Sequence, residues 1–318
     1  MGSDRSRPST ATATSGDPPP ASGANRLAQA PLPLLTALAL LGFAANSLLC
    51  RVALLRPPRI DALSFSLLRL LAGALTLLLF SGWPRAHRHA SPRGVLALVV
   101  YIFAFSLSYL RIGAALGALL LFGAVQVTML SAALARGERL QPRTWLGLLF
   151  AVSGVVWLVS PGVGAPDLLG SALMLLAGIG WGGYSLLGRR STDALGTTAG
   201  NFVYATAVAL MVGGGLFALS TQHPPLAARL GLSAGQLVWT QSGLLFALAS
   251  GALASGLGYA IWYSAVPRLG ASRAAIVQLL VPVLAASLAV PLLAEAVSLR
   301  LIGAGALVLF GVGLALRR

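Results

Sequence analysis

The chain has 318 residues, of which 57% are hydrophobic and only 9% charged, with a mean hydropathy of +0.85. A soluble domain carries about 25% charged residues, so a soluble fold is excluded and the lipid bilayer is the first partner. All 22 basic residues are arginine and give a net charge of +15; because they gather at the ends of apolar runs, they mark membrane orientation and not nucleic-acid binding.

Residues 1–30, rich in Ser, Thr, Ala and Pro, are expected to form a disordered cytoplasmic tail. Ten apolar stretches follow, at 31–54, 61–81, 94–110, 113–135, 144–160, 168–188, 199–219, 242–266, 270–293 and 297–316. Most have the roughly 17–25 residues that cross a bilayer as a helix, and helix is the conformation that satisfies the backbone in lipid. Short links hold the Pro, Gly and Arg, as in SGWPRAHRHASPR at 81–93; the longest link, 220–241, has room for an interfacial segment. The single cysteine, Cys50, rules out an intramolecular disulfide framework.

The sequence repeats itself. Shifting by 157 positions carries Arg268, Gly270, Ala271, Glu295, Arg300 and Gly311 onto Arg111, Gly113, Ala114, Glu138, Arg143 and Gly154. A shift of 138 lays Ser185–Arg189 (SLLGR) over Ser47–Arg51 (SLLCR), and the longer link at 220–241 absorbs the difference between the two offsets. The expected fold is therefore all-α and integral to the membrane, with ten transmembrane helices in two five-helix repeats, 31–160 and 168–316. An odd number of spans inverts the second copy, the plan of many secondary transporters. With the N-terminus inside, the inner segments hold fifteen arginines and the outer ones six, Arg51, Arg56, Arg59, Arg111, Arg229 and Arg300. That bias predicts a multi-pass protein of the cell membrane with both termini cytoplasmic.

These residues resemble the drug/metabolite transporter superfamily, in particular its EamA branch of ten-helix carriers, over residues 31 to 316. Trp181-Gly182 with Arg189, and Asn46 with Arg51, are similar to the first helix of each family repeat. Gly137-Glu138 and Ala294-Glu295 are similar to the pair that ends each fourth helix, and Pro282 and Arg69 also match. The chain departs from the pattern at Phe43, Val125 and Ala207. The resemblance implies a secondary transporter of a small metabolite, such as an amino acid or other organic anion or zwitterion, often exported. The other classes considered are a non-transporting membrane scaffold and a membrane enzyme, but no cluster of catalytic His, Asp or Ser is visible.

Arg69 is the foremost candidate for substrate binding. It lies inside a span, where an arginine costs about 2.5–3.5 kcal/mol on insertion scales, and no membrane-embedded carboxylate is available to it. Either it faces a cavity that takes an anion, or it snorkels or bonds to a neighbouring helix. Tyr109, Gln126, Trp181, Tyr184, Tyr259, Trp262 and Gln278, together with Asn46, Tyr101 and Tyr263, are the polar and aromatic groups a cavity needs. An aromatic belt or interhelical bonding are the other roles open to them. Glu138 and Glu295, each five residues before an Arg, are expected to cap the helix that follows. The phosphate-loop pattern GxxxxGK[ST] does not occur, and His87, His89 and His223 offer no tetrahedral metal set. No cofactor is expected.

Overall fold

Ten apolar runs separated by Pro- and Gly-bearing links have one way to hide their backbone from lipid, and the chain takes it. The computed structural model describes residues 30–54, 59–137, 141–162, 165–188, 191–230, 232, 235–270, 274 and 277–316. The expected N-terminal tail and Glu138 lie outside the described residues. Helices run in the order α1 (Leu32–Leu54), α2 (Ala62–Ser81), α3 (Trp83–His89), α4 (Pro92–Tyr109), α5 (Ala114–Ala135) and α6 (Pro142–Val159). They continue with α7 (Leu168–Gly188), α8 (Ala194–Gln222), α9 (Pro224–Leu230), α10 (Gln241–Leu269), α11 (Leu280–Leu293) and α12 (Leu299–Leu316). Among the described residues there is no strand beyond one isolated bridge between Ile60 and Trp239.

Eight of these helices, α1, α2, α4, α5, α6, α7, α8 and α10, are long and apolar enough to cross a membrane, while α11 and α12 are apolar but shorter. Two short helices stand where the sequence suggested links. α3 occupies the basic segment 81–93, with Pro at its first turn, where a missing N–H costs nothing. α9 lies in the long link, which is stitched to the start of α2. There Asp61 N–H donates to Val238 O at 3.0 Å, and Trp239 Nε1 donates to Ser64 Oγ at 2.7 Å.

Side chains divide as a bilayer solvent requires. Leu79, Leu149, Leu245 and Phe310 point outward and are more than half exposed. Four of the six tryptophans, Trp83, Trp145, Trp157 and Trp239, are likewise exposed at or near helix ends, as an aromatic belt would be. Trp181 and Trp262 are buried. Helices of residues 31–160 pack chiefly against those of 168–316: α6 on α12, α4 and α5 on α7, α2 on α8 and α10. The two halves therefore interdigitate. Glycines permit the closest of these contacts. A Cβ at Gly147 would collide with Gly311 O, and one at Gly180 would sit 3.0 Å from Ala97 O and 3.1 Å from Tyr101 N.

The ends of the bundle differ in their charge pairs. At one end Arg85 makes a two-pronged pair with Asp193, Nε to Oδ2 at 2.8 Å and Nη2 to Oδ1 at 2.9 Å, joining α3 to the N-cap of α8. Burial opposes ionisation of Asp193. Hydrogen bonds from Arg85 and from Gly196 N–H, with the charges of Arg85 and His89, outweigh it and hold the carboxyl below its ordinary value. At the other end lie Arg51, Arg111, Asp167, Glu295 and Arg300, with ion pairs Arg51–Glu295 and Arg111–Asp167, each at 3.4 Å.

Candidate functional site

Arg69 is drawn inward by the helix that carries it. α2 starts at Asp61, whose carboxylate accepts from Ser64 N–H at 2.9 Å, and this cap fixes where the helix begins. Ser66, Arg69 and Gly73 then follow at spacings of three and four on one face. A Cβ at Gly73 would lie 2.7 Å from the Phe202 ring, so the glycine admits α8. The face points into the bundle, and Arg69 is 1% exposed. Snorkelling to either surface is thereby excluded.

Its partners are neutral. Arg69 Nη2 donates to Tyr101 OH at 2.8 Å and Nε donates to Ser255 Oγ at 3.2 Å. The guanidinium carbon stands 5.2 Å from the Tyr101 ring centre and 4.9 Å from that of Phe105. Hydrogen bonds to a charged group contribute about 1.5–3 kcal/mol each, and a desolvated cation–π contact about 2. Together these offset the roughly 2.5–3.5 kcal/mol of placing the cation in the span. They do not neutralise it. Among the described residues Arg69 makes no ion pair, and its Nη1 is buried with no hydrogen-bond partner.

The polar cluster continues through Asn46. Its Nδ2 lies 3.4 Å from Tyr101 OH, and its Oδ1 accepts from Ser250 Oγ at 2.6 Å. Ser250 and Ser255 open and nearly close a π-helical stretch, Ser250–Leu257, within α10. In an α-helix of 3.6 residues per turn, residues five apart point about 140° away from each other. An i→i+5 ladder stacks them instead. The π stretch thus presents both hydroxyls to one side, one to α1 and one to α2. Gly251, between them, brings α10 so close that a Cβ there would strike Arg69 O.

An aromatic wall adjoins these groups. Phe43 meets Trp181 at 5.8 Å, Trp262 at 5.7 Å and Tyr259 at 5.7 Å between ring centres. Trp181 also meets Tyr101 at 4.9 Å and Phe122 at 5.6 Å. Tyr259 stacks on Tyr263 at 5.9 Å, and Tyr263 OH and Tyr184 OH each lie 3.1 Å from Thr198 Oγ1. Arg69, Asn46, Tyr101, Trp181, Tyr259 and Trp262 are therefore brought together, with Tyr184 and Tyr263 at the margin. Tyr109 stands apart, towards the Arg51 end. It is buried and edge-on to Phe105 at 4.7 Å. Gln126 is buried and Gln278 half-buried, and among the described residues neither hydrogen-bonds to the cluster.

Several members were not legible as site residues. Ser250 and Ser255 depend on the π register. Phe105 had a signal, since Tyr101, Phe105 and Tyr109 recur every four residues and share one face of α4. Phe43 stands where the family pattern has Trp, and it is the hub of the wall. Glu295 also needs correction. It caps not the following helix but α5, in the other half. Its Oε1 accepts from Ala114 N–H at 2.8 Å and its Oε2 from Ala115 N–H at 3.3 Å.

A model of the EamA-like transporter family matches residues 168–317. An uncharacterized protein of Pseudomonas aeruginosa is 50% identical over 288 residues, which are 89% of this chain and 93% of the relative. A solved crystal structure shares the fold with a TM-score of 0.58 and 21% identity, over 89% of this chain and 96% of that one.

Proposed function

Because the chain belongs to the EamA-like transporter family, within the drug/metabolite transporter superfamily, we propose that it is a secondary carrier of a small metabolite bearing an anionic group. It works by alternating access between two inverted five-helix repeats, 31–160 and 168–316. The ten spans of this scheme are the eight long helices plus α11 and α12. Carriage is outward across the cell membrane, with both chain ends in the cytoplasm, the orientation that the arginine distribution favours. The substrate, a carboxylate or phosphate carried on an apolar or zwitterionic body, meets Arg69, Asn46 and Tyr101 on one side and the wall of Trp181, Tyr259 and Trp262 on the other. Tyr184 lies at the margin, while Tyr109, Gln126 and Gln278, also expected to bind substrate, stand outside this cluster.

The observation that carries this reading is the unneutralised guanidinium of Arg69, buried with one nitrogen unpartnered. In a low-dielectric interior a fixed cation attracts an anion far more than in water. Hydroxyls and rings that hold the cation without cancelling it leave that attraction for a ligand.

The test is transport into or out of proteoliposomes, using a substrate first identified by a thermal-shift screen, in which binding raises Tm. Arg69→Gln should insert and fold, since it removes an insertion cost, yet lower transport of that anion at least about tenfold, equivalent to about 1.4 kcal/mol. Arg69→Lys should retain part of the activity, because charge survives while the planar fork is lost. Equal transport by Arg69→Gln and the parent protein would remove Arg69 from recognition.

A further inference from the structure

We propose that Glu295 is a latch that closes the Arg51 end of the bundle by fastening the second half of the chain to the first. Glu295 follows α11, and the chain reaches it through Ala294, a non-glycine residue in the left-handed region at φ 51° and ψ 32°. Such a backbone costs about 1–3 kcal/mol and persists where its surroundings demand it. What it achieves here is direction. The turn carries the Glu295 carboxylate across to α5, where it takes two N–H groups of the first turn, Ala114 at 2.8 Å and Ala115 at 3.3 Å. Gly113 leaves the space, since a Cβ there would come within 2.7 Å of Glu295 Oε2. Arg51, at the end of α1, adds its charge at 3.4 Å from Oε1 and is itself fastened by Nη1 to Tyr109 O at 2.6 Å. One side chain of the second half thus holds α1 and α5 of the first.

Beneath the carboxylate is a small apolar layer, distinct from the main core, formed by Leu48 of α1, Ala114 and Ala115 of α5, and Ala289 of α11. Alanines bury little area, so apolar contact alone holds this layer weakly. Charge-assisted bonds to backbone N–H groups are roughly twice as strong as neutral ones. The carboxylate therefore decides whether the layer stays shut. Beside it a cavity of about 240 Å³, lined by Arg51, Leu116, Leu158, Glu295, Arg300 and Leu301 among others, already separates the halves. Water can reach the latch there. Arg51 and Glu295 keep 19% and 16% of their side-chain surface exposed, which suits a pair that must break.

Ala289 is fully buried in the closed layer and makes a reporter. In a Cys50→Ala background, Ala289→Cys carries the sole thiol, and its labelling by a membrane-impermeant maleimide is followed in protein reconstituted into vesicles. Slow labelling is expected with the latch intact. Glu295→Gln should raise the rate at least about tenfold, and Arg51→Gln should raise it less, because the Glu295 bonds to α5 remain. Should Glu295→Gln fail to fold, Arg51→Gln still decides. Unchanged labelling in a folded Glu295→Gln protein, or in Arg51→Gln where that variant alone folds, would overturn the latch. The proposal rests on the alternating-access reading, yet labelling needs no substrate. Its failure leaves the carrier reading standing, and an absence of transport in a protein whose labelling responds does the opposite.

Discussion

Tyr101 shows how one residue can hold a charge without cancelling it. Its hydroxyl accepts from Arg69 Nη2 while its ring lies under the same guanidinium. Tyr101→Phe keeps the ring and removes the acceptor, leaving a second nitrogen of a buried guanidinium without its protein partner. The expected loss is about 1.5–3 kcal/mol, the usual range for a hydrogen bond to a charged group. A lowered Tm of the detergent-solubilised protein checks it, with Arg69→Gln as background. In that background Tyr101→Phe should cost markedly less, because the charge that needed the acceptor is gone.

At the scale of elements, close helix contact is the main device. α6 and α12 touch through Gly147, Gly154 and Gly311, where backbone of one helix lies against backbone and short side-chain stems of the other. Arg300 reinforces the pair by donating from Nε to Trp157 O at 3.1 Å and from Nη2 to Ser160 O at 2.5 Å, at the C-terminal end of α6, where a cation is favoured. Gly147→Leu cannot be absorbed by a rotamer change, since the obstacle is the Gly311 carbonyl. A cost at or above the about 1–3 kcal/mol of ordinary overpacking is expected. Yield and monodispersity on size exclusion should both fall. Leu149→Ala, on the exposed side of the same helix, should change neither.

For the whole molecule, the ends of the bundle must be assigned to sides of the membrane. In the orientation proposed above, the Arg85 end faces inside and the Arg51 end outside. A reporter active only in the cytoplasm should give signal when fused after Arg318 and none when fused after Asp167. Signal at both positions would break either the span count or the inversion. The same arrangement gives the latch its side, since Glu295 would then close the carrier towards the exterior.

What the sequence determined by itself is the solvent and the elements that solvent imposes. Apolar runs of bilayer length are satisfied in lipid as helices, and the matched Arg, Gly and Glu positions are the basis for expecting a duplicated plan. Arg69 could be singled out because a charge inside such a run is costly wherever it turns. Which way it turns was decided by tertiary structure. The cap at Asp61, the glycine at position 73 and the π register of α10 bring Arg69 of α2 to Ser255 and Asn46 of α1 to Ser250, a meeting of three helices. Glu295 illustrates the same limit. Its charge and position at a helix end predicted a cap, but the N-terminus it caps lies 181 residues earlier in the chain, at Ala114. Spacing along a helix reports neighbours three or four residues apart. Contacts between halves depend on how the helices pack together, and a periodicity read along one chain carries no information about that packing.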